Sequence, residues 1–189
     1  SRTDLGFSTR KCLICNQEAF VCSRARTHSV KELLEQECQI MTNYFAKQHA
    51  RKLSSLSMQA LLYEVSVTPK PGLVDRNNTG AHQDMDIFTF EASAVSLNHY
   101  FEQFALCGIE NGHEPFSHIF SRLRSLGIQA EETMFRATNQ VNTHKGLIFS
   151  LAIMNGALGY MYANHIPYSP DALLKICLLY TSPSPRDTR

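Results

Sequence analysis

Apolar side chains recur along this chain at intervals of three and four residues, the spacing of helices that bury one face. Val30, Leu33, Leu34, Cys38, Met41 and Phe45 form a first stripe. Ser29, with Glu32 three residues on, has the pattern of a capping box that would open that helix. Leu53, Leu56, Ala60, Tyr63 and Val67 form a second stripe, and the polar run 47–52 between the two reads either as a linker or as continuing solvated helix. Pro69, Pro71 and Gly72 end the second helix, because proline removes a donor and restricts the residue before it. Residues 68–86 therefore read as a loop. Helical spacing returns in Ile87, Phe90, Ala94, Leu97, Phe101 and Phe104, and further helices are predicted over 115–125, 130–137, 146–163 and 170–176. No segment alternates with the two-residue period of a strand. The expectation is an all-α fold in which Phe88, Phe90, Phe101 and Phe104 belong to the core.

Composition narrows the function classes. Of 189 residues 43% are apolar and 19% charged, enough for a sizeable core. Eighteen basic side chains against 17 acidic ones remove any electrostatic case for nucleic acid or an anionic membrane. A charged ligand must then be held by local groups. The most apolar stretch, 146–163, contains Asn155, three glycines and a serine, which suits a buried helix better than a membrane span. No apolar leader core follows the start, so the expected location is cytoplasmic. The tail 177–189 leaves the helical pattern and resembles translated sequencing-adapter DNA, so it is expected to be non-native. Three of six cysteines lie in the first 22 residues. With His28, Cys12, Cys15 and Cys22 have the ligand types of a tetrahedral Zn²⁺ site; the competing reading is a packed group of thiols.

The loop 68–86 is dense in chemistry. Lys70 and Arg76 can bind phosphate oxygens, and Asp75, Asp84 and Asp86 are hard oxygen ligands suited to Mg²⁺. Gly72 and Gly80 allow positive φ or close approach. Asp84 and Asp86 can equally cap the helix that starts near Ile87, and Asn77 and Asn78 suit a turn. A second cluster lies at 135–146. Thr143 reads as an N-cap placing His144, Lys145 and Gly146 in the first turn of an apolar helix, where free amides favour an anion; a surface pair at His144 and Lys145 is the alternative. Gly146, Ser150, Gly156 and Gly159 would let that helix pack closely. His49, His99, His113, His118 and His165 are expected to be surface or structural.

Lys70-Pro-Gly-Leu-Val-Asp-Arg76, Gly80-Ala-His-Gln-Asp-Met-Asp86, Phe135-Arg-Ala-Thr138 and Val141-Asn-Thr-His-Lys-Gly146 resemble the signature blocks of the triphosphoribosyl-dephospho-CoA synthases. The similarity runs from about residue 53 to about 176, with Gln140 where that family has a small residue. Residues 10–28 resemble the C-terminal end of the citrate lyase phosphoribosyl-dephospho-CoA transferases. The resemblance implies a piece of a fused protein: a transferase remnant over 1–46, the first part of a synthase domain over 47–176, and the tail. It also implies a pentosyl transfer in which the ribose hydroxyl of 3′-dephospho-CoA displaces adenine from ATP, with Mg²⁺ as cofactor. The citrate lyase acyl carrier subunit would be a partner of the transferase part. Under it, Asp84, Asp86 and Asp75 would hold Mg²⁺, and Lys70, Arg76, Arg136, Asn142 and Lys145 would bind substrate. Glu64 or His82 would act as base, and His144 would protonate adenine or touch phosphate. Two other functions fit the residues: a metal-dependent nucleotide phosphohydrolase built on His82 and Asp84, or a zinc-containing interaction module. The synthase reading requires the loop 68–86 and the turn 141–146 to wall one pocket.

Overall fold

The structure, a computed structural model, describes residues 2–181. Six helices follow in order: α1 (Ala19–Ala25), α2 (Val30–Ser66), α3 (Ile87–Glu110), α4 (Phe116–Ala137), α5 (Lys145–Ala163) and α6 (Pro170–Thr181). The described residues contain no strand, only an isolated bridge between Lys11 and Glu18. The fold is all-α, as the spacing predicts.

The chain divides into two compact units between Ala46 and Lys47, a boundary that falls inside α2. In the first unit a short turn leads into α1 and then into the first part of α2. The capping box forms there: the Ser29 amide donates to Glu32 Oε2 at 2.7 Å, and the Glu32 amide donates to Ser29 Oγ at 3.2 Å. The stripe of Val30, Leu34, Met41 and Phe45 remains exposed. The run 47–52 is continuous helix.

The second unit holds the main core. α3 and α5 pack against one another, with α4 against both and α6 against α4 and α5. Ala94, Leu97, Phe101 and Phe104 of α3 meet Ile119, Leu123 and Met134 of α4 and Ile148, Ile153 and Ala157 of α5. Close approach depends on two glycines of α5. A Cβ at Gly159 would meet the carbonyl of Ala105 on α3, and one at Gly156 would meet the Leu123 side chain of α4. Gly146 and Ser150 play no such part, since Gly146 faces open space and Ser150 is exposed. α5 alone among the described helices is long and apolar enough to cross a membrane, yet eight of its residues are buried. It is the core helix of this unit.

Several sequence expectations change. α2 does not bury Leu56, Ala60 and Tyr63, and Val67 lies past its end and is exposed; its inward face carries Ala50, Leu53, Ser54, Ser57, Leu61 and Val65. The two serines are tolerated there because both are bonded. Ser54 Oγ donates to the Asn98 carbonyl at 2.7 Å, and Ser57 Oγ accepts from buried Asn155 at 3.0 Å. Segments 115–125 and 130–137 are one helix, α4, running through Gly127. Phe88 is exposed, because it lies off the inward face of α3. α6 continues past residue 176 to Thr181, with Tyr180 buried and its hydroxyl donating to the Gly156 carbonyl at 3.3 Å. The helical pattern thus extends into the segment expected to be tail; 182–189 lie outside the described residues.

Candidate functional site

The C-terminus of α2, the loop after it and the N-termini of α3 and α5 come together in the second unit. The loop is organised by one carboxylate. Asp75 is buried, and its Oδ1 accepts from the amides of Asn77 (2.8 Å) and Asn78 (3.0 Å). Its Oδ2 accepts from Thr68 Oγ1 (2.8 Å) and the Lys70 amide (3.1 Å). These donors, the Asn77 amide foremost, hold the Asp75 carboxyl down at about 2. Gly80 completes the loop with φ +60°, in a place where a Cβ would strike the Leu73 backbone. Such a loop is held in shape by its own polar groups.

Asp86 ends the loop as the N-cap of α3. Its Oδ1 accepts from the Thr89 amide (2.9 Å) and Thr89 Oγ1 (2.8 Å), which lowers its pKa. Of the two readings of Asp86, the cap is the one seen in the hydrogen bonds. Thr143 does not cap α5, whose N-cap residue is His144. Thr143 Oγ1 instead donates to Ser93 Oγ at 2.8 Å, and Ser93 Oγ lies 2.7 Å from His144 Nδ1. The first turn of α5 is served by Asn142, whose Oδ1 accepts from the Lys145 amide at 3.3 Å.

Between these segments lies a cavity of about 400 Å³. Glu64, Lys70, Leu73, Val74, His82 and Met85 form one side of it. Phe90 of α3 and Asn142, Thr143, His144, Gly146 and Leu147 form the other. The loop and the turn before α5 therefore wall one space. Lys70 Nζ donates to Glu64 Oε1 and to the Glu64 carbonyl, both at 2.8 Å, joining the end of α2 to the loop. His82 Nδ1 is 3.8 Å from Asp84 Oδ1, and the Asp84 side chain is exposed. Burial pulls the His144 imidazole down to about 4, against a smaller opposing effect of Glu64, so the ring is neutral at pH 7. Ser93 Oγ, which accepts from Thr143, stands 2.7 Å from Nδ1; donation from Ser93 to that nitrogen would leave the ring proton on Nε2. Gly146 and Leu147 stand in the first turn of α5, where backbone amides have no acceptor within the helix.

Of the residues singled out in the sequence, Glu64, Lys70, His82, Asn142 and His144 meet at this cavity. Arg76, Arg136 and Lys145 are exposed and do not line it. Arg136 Nη2 donates to Thr133 Oγ1 at 3.0 Å, and Lys145 Nζ pairs with Glu131 Oε2 at 3.2 Å. The three aspartates form no shared metal-binding group; among the described residues the one group of three or more ligand side chains is Cys12, Cys15, Cys22 and His28 in the first unit. There the amides of Cys15 and Ile14 hold the Cys12 thiol down at about 6. Ser93, fully buried and in contact with His144, was not legible as a site residue. The available signal was a hydroxyl four residues before Leu97, on the inward stripe of α3.

Residues 50–177 match the family of ATP:dephospho-CoA triphosphoribosyl transferases, and residues 1–44 match the family of apo-citrate lyase phosphoribosyl-dephospho-CoA transferases. The chain is 49% identical over 147 residues to a Haemophilus ducreyi protein named 2-(5''-triphosphoribosyl)-3'-dephosphocoenzyme-A synthase, covering 77% of this chain and 44% of the relative. It is 41% identical over 163 residues to Protein CitXG of Haemophilus influenzae, covering 86% of this chain and 34% of that protein. To a Streptococcus mutans protein named as a probable synthase of the same kind it is 45% identical over 140 residues, covering 70% and 47%. The chain spans less than half the length of these relatives. No solved structure matches it. With residues 50–177 matched, the chain belongs to the ATP:dephospho-CoA triphosphoribosyl transferase family.

Proposed function

We propose that the second unit takes part in a pentosyl transfer that makes 2′-(5″-triphosphoribosyl)-3′-dephospho-CoA and adenine from ATP and 3′-dephospho-CoA. Family membership supports the reaction. The observation that carries the site is the shared cavity, walled by Lys70 and His82 on one side and by Asn142, His144 and the first turn of α5 on the other. Its volume, about 400 Å³, is in the range of small-molecule sites.

In this reaction the ribose 2′-oxygen of dephospho-CoA bonds to the anomeric carbon of ATP, and the bond from that carbon to adenine N9 breaks. The hydroxyl gives up a proton and adenine takes one, through an oxocarbenium-like state. Lys70 supplies positive charge at the cavity wall, and the first-turn amides of α5 supply donors for a phosphate oxygen. Glu64 and His82 are the wall groups able to accept the hydroxyl proton; with Glu64 Oε1 engaged by Lys70, we assign that role to His82. Neutral His144, with its proton on Nε2, donates a hydrogen bond rather than a full proton. Donation from Ser93 Oγ, itself accepting from Thr143, would set that tautomer.

Mg²⁺ fits this donor set through one carboxylate. Asp75 accepts hydrogen bonds at both carboxylate oxygens and Asp86 caps α3 through Oδ1, whereas Asp84 is exposed beside His82. Sites for Mg²⁺ commonly use one or two carboxylates with substrate phosphates, so Asp84 would hold the ion. When bound, Mg²⁺ neutralises triphosphate charge. In the cytoplasm the product would serve citrate lyase, whose acyl carrier subunit would be the partner of the transferase part.

The test is product analysis with ATP, 3′-dephospho-CoA and Mg²⁺. Adenine should appear in equal amount with a dephospho-CoA adduct carrying a triphosphoribosyl group. Release of phosphate without adenine would instead mean anhydride hydrolysis and would sink this reading.

A further inference from the structure

We propose that Cys12, Cys15, Cys22 and His28 form a closed structural zinc site that staples the first unit together. This inference is independent of the transfer reaction, since it concerns residues outside the cavity.

The four ligand atoms all lie within 4.8 Å of one another. Cys12 Sγ is 3.4 Å and Cys15 Sγ 3.9 Å from Cys22 Sγ. A tetrahedron with Zn–S bonds near 2.3 Å separates its sulfurs by roughly 3.8 Å, so the observed spacings bracket the distance a zinc ion imposes. Disulfide sulfurs lie at ~2.05 Å, and all the cysteines are free. His28 Nε2 adds a second, separate observation. It is buried with no hydrogen-bond partner, alone among buried side-chain N and O atoms of the described residues. An imidazole nitrogen left bare inside a protein is costly; a metal bond satisfies it.

Local geometry builds the site. The Cys12 amide donates to the Gln17 carbonyl at 2.8 Å, and the Ala19 amide to the Arg10 carbonyl at 2.7 Å. These bonds fold the Cys-x-x-Cys segment into a tight turn. Cys22 comes from α1, and the left-handed cap at Arg26 (φ 50°) turns the chain so that His28 returns to the cluster. Ligands thus come from the turn, the short helix and the residue just before the Ser29 cap of α2. Among the described residues of this unit, Cys22 and Ala46 are the buried ones. A segment of this size is near the ~40-residue limit below which metals or disulfides usually supply the missing stability. Three thiolates and one imidazole in a tetrahedron favour zinc over harder divalent ions, and four protein ligands leave no open position, so the role is structural.

The whole 189-residue chain, purified without chelator, is assayed for metal. One zinc per chain is expected, retained in Cys38→Ser, which alters a cysteine outside the cluster, and lost in Cys22→Ser. Because Cys22→Ser also alters a buried side chain of the unit, His28→Cys and His28→Ala provide the decisive pair. The first keeps four ligands and should retain zinc; the second should bind it at least tenfold more weakly. Cobalt replacing zinc should show thiolate charge-transfer absorption that intensifies in His28→Cys. A chain that contains no zinc and binds neither added zinc nor cobalt overturns the proposal. So does a Cys12–Cys22 disulfide in the native protein.

Discussion

Lys70 illustrates what one side chain can do in two places at once. Its ammonium closes the end of α2 by accepting the role of donor to the Glu64 carbonyl, and it pairs with the Glu64 carboxylate at the cavity wall. Replacing it with methionine keeps the stem and removes the charge. Lys70→Met should weaken ATP binding about 10- to 100-fold, as expected for loss of a charge-assisted hydrogen bond of roughly 1.5–3 kcal/mol. Titration calorimetry measures this directly, and unchanged affinity would remove Lys70 from the site. At this scale the sequence displayed chemical type but not occupation. Asp75, Asp84 and Asp86 are equivalent as letters, yet the first organises a loop, the third caps a helix and only Asp84 is exposed beside His82. Ser93 shows the converse: a hydroxyl reads as surface in the sequence, and only its buried partner His144 makes it part of the site.

Helix boundaries were legible at three local signals but not at Thr143, since the N-cap of α5 is His144. The Ser29–Glu32 box, the Pro69–Pro71 stop and the Asp86 cap all act over three or four residues, and all appear where expected. Faces were less legible. On α2 small polar residues, Ser54 and Ser57, occupy the inward side because α3 and α5 offer them partners, which displaced the apparent apolar stripe. The α3–α5 contact follows the opposite logic, since it requires side chains to be missing. Gly159 lies against the Ala105 carbonyl with no room for a methyl. Gly159→Ala should therefore destabilise the unit by about 1–3 kcal/mol through forced separation of the helices, measured by urea unfolding. Gly146→Ala, at a position facing open space, is the matched control and should cost far less.

Stability of the whole second unit should depend on acidity through His144. Its folded pKa of about 4 lies below the ordinary imidazole value near 6.5. The unfolded chain therefore binds more protons between those values, and the contribution, fully present above about pH 6.5, is lost as pH falls through 4. A shift of that size corresponds to roughly 3 kcal/mol. Denaturant unfolding at pH 7 and pH 4.5 should show the loss, and His144→Gln should flatten it; an equal pH dependence in that variant would mean other groups are responsible. The sequence by itself determined an all-α chain, a polar loop after the two prolines, and the motif blocks that mark the family, because each is written in residues a few positions apart. Only the tertiary structure decided that Ser93 meets His144, that Lys70 and Asn142 share a cavity, and that His28 gathers with three cysteine sulfurs. Burial and partnership join residues distant along the chain, and no local pattern encodes how such a segment is packed.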